Sequence, residues 1–138
     1  MELFQILYMA VLVLTTGYAG LFGGRAGITG AAIFWAGSLL TVAVSDTTWA
    51  STDYGVMLVD ASCLGALVVL AFTSDRCWPI WATGFQIVAV LAHITTLVAP
   101  GFWPRAYYWL VGAWALPILL AMAFGTYLDR IEDMRRNR

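Results

Sequence analysis

The sequence predicts an all-α membrane protein, a bundle of five transmembrane helices. Two observations carry that prediction. Of 138 residues, 62% are hydrophobic and 11% charged, with a mean hydropathy of +0.82, whereas soluble chains hold about a quarter charged and about half apolar residues. Apolar stretches close to the ~20 residues that cross ~30 Å of hydrocarbon also recur along the whole length. The spans fall at 3–22, 27–44, 54–72, 78–98 and 105–127, forming one domain over 1–128, with a charged tail at 129–138. Nearly all of the chain is used in crossing, which leaves no room for a soluble catalytic domain.

Segment 3–22 opens the chain. Glu2 stands where a cleaved signal peptide carries Lys or Arg, and the apolar run exceeds a typical signal core, so the segment is expected to remain as a span. It ends in Gly20-Leu21-Phe22-Gly23-Gly24. Gly20/Gly24 and Gly23/Gly27 are small-xxx-small pairs that suit a turn and close helix contact. A phosphate-cradling loop is excluded, because no strand precedes the glycines and no Gly-Lys-Ser/Thr follows. Segment 27–44 is rich in Gly and Ala, with Trp35 near its middle, facing lipid or filling a groove between helices.

The polar loop at 45–53 offers several helix caps, of which Asp53 is best placed for the third span. Segment 54–72 carries Asp60, flanked by the small pairs Ala61/Gly65 and Ser62/Ala66. The tight turn Thr73-Ser74-Asp75-Arg76-Cys77 leads to segment 78–98, with Asp75 as cap and Pro79 in the first turn, where its missing N–H costs little. Thr83, Gln86, His93 and Thr96 form a polar stripe on this fourth span, and lipid offers such a stripe no partner. The fourth helix is therefore expected to be central. Pro100-Gly101-Phe102-Trp103-Pro104 leads into segment 105–127, where Tyr107, Tyr108 and Trp109 read as an interfacial aromatic belt. Pro117 is expected to kink this span, while Gly112 and the Ala121/Gly125 pair permit contact.

Five crossings place the termini on opposite faces. With the tail inside, Arg25, Arg76, Arg130, Arg135, Arg136 and Arg138 share the cytoplasmic face and only Arg105 lies outside. That distribution follows the positive-inside rule, so the N-terminus is expected out and the C-terminus in. The chain has no lysine and a net charge of −1, which excludes nucleic acid as a partner. Cys63 falls in a span and Cys77 in a turn, so they read as reduced thiols rather than a disulfide.

Asp60 lies six residues into the third span and His93 five from the end of the fourth. At a rise of about 1.5 Å per residue both sit roughly 7–9 Å inside one membrane face, so an acid and an imidazole on adjacent antiparallel helices can meet. An ionisable residue in a bilayer is a functional-site hypothesis by default. Structural pairing that fixes two helices explains the pair equally simply, and ranks ahead of chemistry. A proton relay, a quinone headgroup site, a transport pathway or tetrapyrrole ligation at His93 are the functional alternatives. Transport sites come with inverted repeats near the midplane, which an odd span count disfavours. A bis-His haem is excluded by the single histidine, and a zinc or di-iron cage has too few ligands. No catalytic residues or metal site are expected.

The stretches Tyr54-Gly-Val-Met-Leu-Val-Asp60 and Ser74-Asp75-Arg76-Cys77-Trp78-Pro79-Ile80-Trp81-Ala82, with Ala92-His93, resemble small multi-span membrane proteins of alphaproteobacteria, particularly sphingomonad-like ones. That group carries no assigned activity, so the resemblance implies the fold and a bacterial inner membrane alone. The expected role is that of an accessory or assembly subunit of a larger respiratory or photosynthetic membrane complex, with the lipid bilayer and other membrane subunits as partners. The alternative is a small transporter or a quinone- or pigment-binding protein using Asp60 and His93.

Overall fold

The computed structural model describes residues 2–45, 53–98 and 104–136, the side chains of 2 and 104–111 excepted. It contains α1 (Glu2–Phe22), α2 (Gly24–Val44), α3 (Tyr54–Thr73), α4 (Trp78–Val98) and α5 (Pro104–Arg136), with no strand among the described residues. All five helices are long and apolar enough to cross a membrane. The protein is a multi-pass membrane protein.

The helices form a ring in chain order. Each packs on its sequence neighbours, α5 closes on α1, and α2 also touches α5 across the interior. Residue pairs give the directions. Tyr8 meets Ser38 and Phe85 meets Trp114, so α1 and α2, like α4 and α5, run antiparallel. Phe4 lies over Gly112 and Phe22 under Arg130, so α1 and α5 run parallel, as an odd number of helices requires. One end of the bundle holds the α1–α2 and α3–α4 turns and the C-terminus of α5, and is called the turn end below. The opposite end is the loop end.

Local chemistry explains the boundaries. Asp53 caps α3 as expected, its carboxylate accepting from the Val56 N–H at 3.0 Å. In the α3–α4 turn the side-chain bond comes from Ser74, one residue before the expected Asp75, and its Oγ accepts from the Arg76 N–H. The α1–α2 connection is sharper than the sequence suggested: α2 begins at Gly24 rather than 27, and Gly24 turns the chain at φ +58°. α5 runs continuously through Pro117 and on to Arg136, so the tail that follows the span at 127 continues the helix, as its sequence suggests, for more than two turns. Arg76 holds that extension through Asp133 at 3.1 Å and Asp129 at 3.8 Å, and Glu132 with Arg136 adds a pair one turn apart. The Asp133 hydrogen bond holds the Arg76 guanidinium above its usual value. The Tyr107-Tyr108-Trp109 belt and the loop at 46–52 lie outside the described side chains.

Large apolar side chains cover much of the surface. Between 22% and 33% of an 18-residue apolar stretch in each span is buried, and α4 has the highest share. Leu3, Leu14, Val42, Leu58, Phe72 and Val98 point outward, as a hydrocarbon medium permits. Between membrane helices the hydrophobic drive is absent, so close packing and hydrogen bonds hold the ring. The apolar core leans toward the turn end, where Ala19, Leu70, Trp78, Ala82 and Met122 are buried together. Polar groups collect toward the loop end.

Candidate functional site

Four helices deliver a polar side chain at nearly one depth. Tyr8 is six residues from the start of α1, Ser38 six from the end of α2, Asp60 six from the start of α3, and His93 five from the end of α4. At about 1.5 Å per residue that is roughly 8–9 Å from the loop end for each. The Tyr8 hydroxyl and Ser38 Oγ share a 2.6 Å hydrogen bond. Asp60 and His93 meet at 2.9 Å between Oδ2 and Nε2.

Asp60 is the hub. An ionised carboxylate only accepts, so its neighbours must donate. Gln86 Nε2 donates to Asp60 Oδ1 and to the Asp60 backbone carbonyl, each at 3.2 Å, and His93 presents Nε2 to the second oxygen. With the acid ionised, the imidazole proton that faces it is therefore on Nε2. His93 is fully buried, while the Asp60 side chain keeps 22% of its surface exposed. The carboxylate thus sits at the edge of the α3–α4 seam with the imidazole beneath it. Tyr8 and Cys63 are both within electrostatic reach of Asp60, and the Cys63 thiol lies against Gly37, next to Ser38. The polar groups of α1 to α4 therefore form one neighbourhood.

The rest of the α4 stripe is mostly inward and bonded. Gln86 and Thr96 are buried, Thr83 is half-buried, and the hydroxyls of Thr83 and Thr96 donate to the carbonyls of Pro79 and His93. Trp35 fills an interhelical groove and donates from Nε1 to Thr16 Oγ1 at 3.1 Å. Cys63 and Cys77 are free thiols. No group of three or more metal-ligating side chains occurs among the described residues.

The small-residue faces divide into two sets. Gly27 packs on the Ala19 backbone and Gly125 on Trp78, both so tightly that a Cβ would collide. Ala121 is half-buried on the same helix as Gly125. Gly20, Gly24 and Gly65 have open space where a Cβ would stand, and Ala61 is exposed. Sequence reasoning missed Ser38 as a member of the polar layer, although counting its depth along the second span would have found it. It also missed Trp78, whose burial nothing in its neighbours announces. No protein-family model, curated protein or solved structure matches the chain.

Proposed function

We propose that the protein is an accessory or assembly subunit of a larger complex in the bacterial inner membrane, oriented with its N-terminus outside and its C-terminus in the cytoplasm. One observation carries the reading: α1 and α3 turn small residues outward over open space, at Gly17 and Gly20 on the one helix and at Ala61 and Gly65 on the other. Membrane helices use such faces for close contact with another helix, and here no helix of the same chain fills the space at these positions, which supports contact with another chain. The internal hydrogen bonds of Asp60, Gln86 and His93 support the same reading, since they hold α3 and α4 as a rigid platform. The arginine-rich turn end supports the orientation.

Extraction in mild detergent, native electrophoresis and identification of co-migrating chains tests the proposal. The chain is expected in a band far larger than 15.1 kDa. Gly65→Leu or Gly20→Leu, which meet open space within the chain, should release it from that band while the isolated protein stays folded. A chain that migrates alone under every mild condition removes the reading.

The partly exposed Asp60 carboxylate over a buried imidazole favours one second reading, a quinone or pigment site at His93. Visible absorbance or a bound quinone in the purified protein, lost in His93→Gln, would carry it. Loss of electron transfer or transport in Asp60→Asn, with assembly intact, would do the same.

A further inference from the structure

Two polar atoms deep in the turn end find no partner among the described residues: Trp78 Nε1 and Thr126 Oγ1. Trp78 is 1% and Thr126 0% exposed. A buried indole N–H is a donor with no alternative role, and native structures rarely leave such a group unbonded.

Both residues stand at one glycine-rich junction of α2, α4 and α5. The Trp78 ring stands on Gly125 of α5, the residue before Thr126, and its Cζ2–Cη2 edge, which adjoins the N–H, lies against Gly30 of α2. The Thr126 hydroxyl lies against Gly23, at the start of α2. Gly23, Gly27 and Gly30 fall four and three residues apart, on one helix face. A Cβ at Gly23 or Gly27 would meet the Ala19 backbone and one at Gly30 the Trp78 ring, so these glycines let α2 close tightly on α1 and on the indole.

Access to water is short. Trp78 is the first residue of α4, and Thr126 lies one turn before Asp129, which Arg76 bridges from the α3–α4 turn. That ion pair is partly exposed and stands one turn beyond Thr126, on the water side of the junction. Buried water occurs where a site is polar and can supply two or more partners.

We propose that the turn end holds an internal water molecule that accepts from the Trp78 indole N–H and hydrogen-bonds the Thr126 hydroxyl, beneath the Arg76–Asp129 bridge. The water ties α4 to α5 at the point where both leave the membrane. It is independent of any role for Asp60 and His93.

The test compares Thr126→Val with Thr126→Ser in the intact detergent-solubilised protein, by thermal unfolding. A water held by the hydroxyl makes T126V melt several degrees below wild type, with T126S close to it. Removing an unbonded hydroxyl instead relieves a buried polar group, so a T126V as stable as wild type or more so overturns the site. The second readout is the indole ¹⁵N–H resonance of Trp78, assigned by its loss in Trp78→Phe. A cross-peak from this proton to water is expected. A dry indole, or one bonded directly to Thr126, overturns the proposal. The stability comparison stands even where W78F does not fold.

Discussion

At the scale of single residues, the decisive group is the Asp60 carboxylate, because bonds from two other side chains, Gln86 and His93, converge on it in a medium that supplies none. Removing it takes the shared acceptor from the buried His93 ring and Gln86 amide and leaves the amide only the Asp60 backbone carbonyl. Asp60→Ala and His93→Ala are each expected to lower stability by about 1–3 kcal/mol, with a coupling of about 0.5–3 kcal/mol in the double-mutant cycle. Unfolding in mixed micelles by added denaturing detergent measures both, and additivity of the two changes would mean that the pair contributes no joint term. Arg76 presents the opposite case. Its bonds to Asp129 and Asp133 are partly exposed, so Arg76→Ala should cost under about 1 kcal/mol by the same measurement. The Asp60–His93 contact was legible in the sequence because depth along a helix is fixed by counting residues. The Gln86 contact was not, since Gln86 lies seven residues from His93, about 10 Å along the axis. Only its long side chain, reaching both the carboxylate and the carbonyl of Asp60, brings it to the same point.

At the scale of helices, the glycines separate two roles that spacing alone cannot distinguish. A small-xxx-small pattern fixes which residues share a face, yet in a membrane protein the inner and outer faces are both apolar, so rotation stays illegible. The structure sets that rotation. A Cβ on Gly125 would collide with Trp78 Cβ, and one on Gly30 with Trp78 Cη2. Gly125→Ala and Gly30→Ala must therefore displace a buried indole, and overpacking of this kind costs about 1–3 kcal/mol. Gly65→Ala and Gly17→Ala meet open space within helices, where alanine is the better helix former. Thermal midpoints in detergent should fall for the first two and hold or rise for the second two. The extent of α5 beyond the span was underestimated for a related reason. Charge after 128 signals exit from lipid, but the helix persists because Arg76 binds it and Glu132 pairs with Arg136 one turn on.

At the scale of the molecule, hydropathy counts five crossings and leaves their order in space open, since five antiparallel helices can stand in a row as easily as in a ring. Closure depends on α1 meeting α5, and the contacts that make it are chemically ordinary: Phe4 over Gly112 near the loop end, Gly23 against Thr126 and Phe22 beneath Arg130 near the turn end. Nothing in the spacing of these residues marks them as neighbours. Their register is nevertheless specific, because each pair joins equivalent depths of two parallel helices. The Arg130 guanidinium carbon lies 4.1 Å from the centre of the Phe22 ring. Cysteines introduced together at Phe22 and Arg130, with Cys63 and Cys77 replaced by alanine, should therefore cross-link within one chain through a short bis-maleimide. A pair at Phe22 and Gly112, which belong to opposite ends of the bundle, should not. In a row the first and fifth helices stand at opposite edges, and neither pair would react within one chain. Electrophoresis after proteolysis in the loop at 46–52 reads the result, because only a ring keeps the two halves of the chain joined by that link.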